Sequence, residues 1–169
     1  MEKKKKLTYI TLLVIVVIVL FFLFSYLLKD KNEDYNYEHL IGNSFIANDN
    51  SYLVLNNDKT FYWYKDVNNK DEYYYGEYSI YRGENAISYI SHDLSIYGID
   101  EDYQRAYLKD KNIDNYYNLN LTNKKLITNG EEEKMYKETK YYGISSEDYK
   151  IIEFINMDAN NFAIFTLDE

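Results

Sequence analysis

The chain has 169 residues, 28 of them acidic against 19 basic, for a net charge of −9 with histidine neutral. Cysteine is absent, which excludes disulfides, thiol catalysis and zinc–thiolate centres. The acidic balance opposes a phosphate backbone, so nucleic acid is excluded as a partner.

In chain order, residues 1–6 form a basic tail carrying Lys3, Lys4, Lys5 and Lys6. Residues 7–28, LTYITLLVIVVIVLFFLFSYLL, are 22 residues without charge, proline or glycine. At ~1.5 Å per residue such a helix spans about 33 Å, enough for a hydrocarbon core of ~30 Å. A cleaved signal would have a shorter apolar core, about 7–15 residues, and a small-x-small site. The first alanine of this chain is Ala47. The run therefore predicts an uncleaved transmembrane helix. The lysine excess before it puts the N-terminus in the cytoplasm and the remainder outside. The expected address is the cell membrane, single-pass, with the bilayer as the first partner.

Beyond the first 28 residues, which hold four lysines and Glu2, 15 basic and 27 acidic residues leave a net charge of −12. Lys29–His39 is polar and aperiodic and reads as a juxtamembrane linker, reaching at most ~37–40 Å when extended. Residues 40–169 then suit one extracytoplasmic domain with a single core.

That domain opens with short β-type runs. Ser44–Ala47 and Tyr52–Leu55 flank a turn at Asn48–Ser51, and Asn56–Lys59 precedes Thr60–Lys65. After a polar loop at Asp66–Glu72 comes Tyr73–Tyr81 (YYYGEYSIY). Asn and Asp at the breaks tolerate tight turns, and the aromatic and β-branched runs between them favour four antiparallel strands. Gly76 inside the fourth marks a bulge or a close backbone approach.

The period then becomes helical. Glu84–Tyr97 places Ala86, Ile90, Leu94 and Tyr97 on one face, with Gly98 as a left-handed C-cap. A second helix starts at Asp100 as N-cap, with Tyr103, Ala106, Tyr107 and Leu108 as its apolar side. Both short helices are expected to cover an end or edge of the sheet. Strands resume at Tyr116–Leu121, turn at Thr122–Lys124, and continue at Lys125–Thr128, followed by the turn dipeptide Asn129-Gly130. Glu138–Ile144, Tyr149–Asn156 and Asn161–Leu167 complete the pattern. The fold class is thus α+β: a transmembrane helix, then a mainly antiparallel sheet or partly closed meander barrel of about nine strands, with two short helices inserted.

Asn57–Lys65 (NDKTFYWYK), Tyr73–Ile90 (YYYGEYSIYRGENAISYI) and Asn156-Met157-Asp158 leading into Phe162–Leu167 resemble single-pass, outward-facing membrane-anchored proteins of low-GC Gram-positive bacteria. The resemblance covers most of the outward domain. Its motifs are turns, strands and a helix start, and it implies no activity. A looser likeness is to lipocalin-like meander barrels, from whose glycine-x-tryptophan opening Gly42-Asn43-Ser44-Phe45 departs.

Alternation sorts the aromatic residues into two faces. Phe61 and Trp63, with Tyr74, Tyr78 and Ile80, make the simplest core. Tyr62, Tyr64, Tyr73, Tyr75 and Tyr81 then share the other face beside Glu77. Five exposed rings would form a flat platform for sugar rings or an apolar patch of a protein. Covered by the helices, the same rings would instead be core.

Asp110, Asn112 and Asp114 place oxygen ligands at alternate positions after a helix, like the first half of a calcium loop. The twelfth position is Leu121, so the bidentate glutamate is missing. His39 and His92 are isolated and cannot form a zinc triad, and neither HExxH nor GxSxG occurs. No carboxylate pair is singled out by spacing, and no cofactor is implied. Three functional readings follow. The first is a non-enzymatic, membrane-tethered binding module with a protein or glycan partner outside. The second is a lipocalin-like small-molecule carrier, which a cavity in the barrel would favour. The third is a wall-directed hydrolase, which a cleft holding two carboxyl groups about 5–10 Å apart would favour.

Overall fold

The computed structural model describes residues 39–169. The basic tail, the apolar run at residues 7–28 and the linker up to residue 38 lie outside the described residues. Among the described residues, no helix is long and apolar enough to cross a membrane.

Eight antiparallel strands close into a meander barrel in which each strand pairs with its sequence neighbours and β1 pairs with β8. They are β1 (Ser44–Ala47), β2 (Tyr52–Leu55), β3 (Thr60–Asp66), β4 (Asn69–Arg82), β5 (Tyr116–Thr128), β6 (Glu131–Ser145), β7 (Ile151–Asn156) and β8 (Asn161–Leu167). Full closure removes the sheet edges that an open meander would expose.

Alternate residues point inward, and eight strands leave an interior just wide enough for side chains to fill. Phe45, Leu53, Leu55, Phe61, Leu119, Leu121, Ile152, Phe154 and Phe165 are each at most 2 % exposed. The aromatic members meet edge to face: Phe154 and Phe165 are 5.7 Å apart at 75°, Tyr141 and Phe165 6.1 Å apart at 88°. Such geometry brings the positive ring edge to the negative face. Phe61, Tyr78 and Ile80 are in this core, with Trp63 and Tyr74 packed against it.

Eight strands replace the expected nine because Thr122–Lys124 is a bulge and not a turn. The register shifts opposite both neighbours: against β4 Lys124 is the extra residue between Asn123 and Lys125, and against β6 Met135 and Tyr136 stand opposite Lys124 alone. The Asn123 side chain donates to the Lys137 carbonyl at 3.0 Å, so a side-chain bond holds the strands together across the irregular step. On β4, Gly76 sits at the matching shift.

Two hairpins are longer than the apolar pattern implies. The expected loop at Asp66–Glu72 shrinks to a tight turn, since Asp66 pairs with Asn69 and its carboxylate accepts from the Asn68 amide at 2.8 Å. Asn129 (φ 53°) and Gly130 (φ 83°) both adopt the left-handed region, and this tight turn carries strand pairing back through the charged Glu131–Lys137 segment. In contrast β7 begins at Ile151 and not at Tyr149, because Tyr149 has φ 59° and belongs to the preceding turn.

Helices α1 (Glu84–Ser95) and α2 (Glu101–Leu108) follow β4, and a 3-10 turn at Ile113–Asn115 leads into β5. The Asp100 carboxylate caps α2, accepting from the Tyr103 amide at 2.8 Å. Gly98 (φ 75°) ends α1, with the Ile99 amide donating to the Leu94 carbonyl at 3.2 Å. Ala86, Ile87, Ile90 and Leu94 face inward as expected, but Tyr97 is 70 % exposed. On α2 the buried residues are Gln104 and Leu108; Tyr103, Ala106 and Tyr107 face solvent. Ala86, Ile87, Leu108 and Tyr116 form a second small core outside the barrel wall.

Candidate functional site

The outward face of β2–β4 carries a connected group of tyrosine rings. Cross-strand register sets Tyr62 opposite Tyr75, and Tyr64 opposite both Tyr73 and Tyr52. Side chains directly opposite in an antiparallel pair lie ~5 Å apart at Cβ. The rings meet accordingly: Tyr62–Tyr75 at 5.2 Å, Tyr64–Tyr73 at 5.1 Å, Tyr62–Tyr73 at 5.7 Å and Tyr52–Tyr64 at 6.1 Å. All five are half-buried, flanked by one another and open on the outer side.

The helices leave this group uncovered. α1 lies over the far part of β4–β6, where Tyr89 stacks on Tyr81 at 4.0 Å and Asp93 pairs with Lys140 at 2.5 Å. Asn118 and Asn120, on the outer side of β5, are buried there. Tyr81 therefore belongs to the helix contact and not to the strip in which its alternation placed it. Tyr52 joins the strip in its stead. The Asn56–Lys59 turn was the signal for it, since a four-residue connection fixes the β2–β3 register.

Charge around the rings is balanced. Lys125 pairs with Glu132 at 2.9 Å and Lys124 with Glu77 at 3.5 Å. Glu77 thus flanks the rings as half of an exposed ion pair. The Lys70 ammonium lies 4.6 Å from the centre of Tyr52 and 5.3 Å from that of Tyr64, a cation held over ring faces. Burial, with Tyr73, Tyr62 and Tyr52 beside it, raises the Tyr64 phenol above its ordinary value, so this hydroxyl keeps its proton.

Asp110, Asn112 and Asp114 follow α2 as expected, but the Asn112 side chain is engaged in the local fold. The Asn112 side chain accepts from the Asp114 amide at 3.1 Å, capping the 3-10 turn. The Asp114 carbonyl accepts from Arg82 Nε. Among the described residues no group of three or more His, Asp or Glu side chains is placed to hold a metal. His39 stacks on Tyr149 at 3.7 Å, with Arg82 donating to the Tyr149 hydroxyl at 3.2 Å. The chain thus enters the barrel beside the β6–β7 turn.

Two hollows of about 350 Å³ each open among the described residues. One lies on the outer wall near α2, lined by Tyr107, Tyr142, Ile151, Ile155 and Phe162. The other is the mouth of the barrel at the end opposite the His39–Tyr149 stack, lined by Trp63, Tyr74, Tyr141 and polar neighbours. Neither followed from the periodicity of any one strand, because each is assembled from at least three elements. No protein-family model, curated protein or solved structure matches this chain.

Proposed function

We propose that this protein is a membrane-tethered binding module that works by contact and not by chemistry, with its β-domain outside the cell. The apolar run at residues 7–28 and its lysine flank support the tether and its orientation. The observation that carries the binding reading is the uncovered group of Tyr52, Tyr62, Tyr64, Tyr73 and Tyr75, with every ring in contact with another.

Its partner is a neutral glycan. Aromatic faces stack against the C–H faces of sugar rings, and the local lysines are already matched by carboxylates or seated on tyrosines. A strongly charged partner would have to break those pairs. The domain's overall acidity also disfavours anionic wall polymers and lipid headgroups.

Titration of the full chain in detergent with chitohexaose, an uncharged N-acetylglucosamine oligomer, tests the reading. Binding by the parent chain should be abolished in Tyr62→Ser/Tyr75→Ser. That double variant should remain folded, losing about 2 kcal/mol, since each aromatic pair contributes roughly 0.5–1.5 kcal/mol. Unchanged binding by the variant would remove the tyrosines from the contact. A parent chain that binds neither this oligomer nor uncharged glucose oligomers would overturn the glycan assignment.

A further inference from the structure

Trp63, Tyr141 and Phe165 pack on one another in the barrel core, and a hollow opens beside them, reaching the β7–β8 loop. The hollow there, about 350 Å³, is at the small end of the range of ligand sites, roughly 300–1,000 Å³. Its composition is that of such sites: apolar and aromatic walls with a few convergent polar groups. Trp63, Tyr74, Leu121 and Tyr141 supply the walls.

These walls are held in place from behind. Tyr141 is 5.7 Å from Trp63, 6.0 Å from Phe154 and 6.1 Å from Phe165. Its hydroxyl accepts from the Asn156 amide at 3.1 Å, which leaves the phenolic proton free to donate. Burial raises the Tyr141 phenol well above its ordinary value, so that proton stays in place. Asn123 is fixed by its bond to the Lys137 carbonyl, with its amide oxygen left to accept. A ligand therefore meets preformed surfaces and loses little to side-chain ordering.

The rim carries charges of opposite sign that do not meet. Lys137 on β6 and Asp158 on the β7–β8 loop both line the hollow, and neither is in an ion pair among the described residues. Asp49 also lies near Tyr141, but its carboxylate accepts from the Ser51 amide at 3.0 Å and serves the β1–β2 turn. A purely anionic ligand would satisfy Lys137 and face Asp158, and a purely cationic one the reverse.

We infer that the barrel mouth binds a small zwitterion with a flat apolar body, the chemistry of an aromatic amino acid. The ring lies between Trp63, Tyr74 and Leu121, the carboxylate reaches Lys137 and the ammonium reaches Asp158. This site is independent of the outer tyrosines and of the glycan reading.

Trp63 is the sole tryptophan of the chain and stands in the wall, so its emission reports occupancy. The probe is 4-nitro-L-phenylalanine, a zwitterion whose nitroaromatic ring quenches indole. Titrated into the full chain in detergent, it should quench saturably. Two analogues separate the charges: 3-(4-nitrophenyl)propanoate lacks the amine and 4-nitrophenethylamine lacks the carboxylate. Each should bind about fivefold to tenfold more weakly, as expected for losing one charge-assisted contact. Lys137→Met should weaken the zwitterion by a similar factor and leave 4-nitrophenethylamine unchanged. Asp158→Asn should do so while leaving 3-(4-nitrophenyl)propanoate unchanged. Thr139→Phe, which fills the mouth from a half-buried position, should abolish saturation while its melting curve stays cooperative. Linear quenching that is the same in the parent and in Thr139→Phe would overturn the site. Equal affinity for all three probes would overturn its charge recognition.

Discussion

At the scale of single residues, the tightest constraint in the barrel is the absence of a side chain. A Cβ added at Gly143 would stand 1.8 Å from the Glu153 carbonyl oxygen, and one at Gly76 2.0 Å from that of Thr122. Both obstacles are neighbouring-strand backbone, which cannot swing aside as a flexible side chain does. Gly143→Ala should therefore destabilise by more than the ~1–3 kcal/mol of ordinary overpacking, with a matched loss at Gly76→Ala. Chemical denaturation checks this, and a loss below 1 kcal/mol would show that the strands can separate locally. Gly76 was legible as special from its place in a strand. Gly143 was not, because nothing near it in the chain indicates how closely β7 approaches.

Among the elements, the two helices separate local signals from tertiary ones. Their ends were legible: Asp100 caps α2 and Gly98 terminates α1, both through bonds within four or five residues. Their buried sides were only half legible. Tyr103 and Tyr107 suggested an apolar face on α2, yet they are 61 % and 66 % exposed. Gln104 is buried, its Oε1 facing the Tyr116 hydroxyl at 3.5 Å. The side of this eight-residue helix that turns inward carries the anchor Leu108, and Arg105 ties the helix to α1 through Glu84 at 2.5 Å. Asp100→Ala should cost about 1 kcal/mol, within the ~0.5–2 kcal/mol of a lost N-cap. Tyr103→Ala should stay within about 0.5 kcal/mol, as exposed positions do. Urea midpoints of the two variants should differ accordingly, and the reverse order would mean that Tyr103 is covered in solution.

For the whole molecule, the barrel has no disulfide and relies on a continuous core. A fragment from His39 to Glu169 should unfold in one transition that reductant does not alter. Its alkaline behaviour follows from the buried phenols. Burial pushes Tyr78 and Tyr117 up to about 12 from an ordinary 10. Between those values the folded state holds protons that the unfolded chain has released, so stability is full below pH 10 and falls as pH rises toward 12. The buried phenols should accordingly ionise only as the fold is lost, so a late step in tyrosinate absorbance should coincide with unfolding. A single step complete by pH 10.5 would contradict the packing.

By itself the sequence determined the order of strands, the two helices, most turns, and the split of β3 and β4 into an apolar and a tyrosine face. Each of these depends on residues within a few positions of one another, through φ/ψ preference or alternation. Only the tertiary structure decided that the sheet closes on itself, that Thr122–Lys124 continues a strand, that Tyr52 replaces Tyr81 in the ring group, and that a hollow opens at one end. Closure and register depend on strands far apart in the chain, such as β1 against β8. No local preference of either partner encodes where the other will lie, because that position is set by how all the inward side chains share one interior.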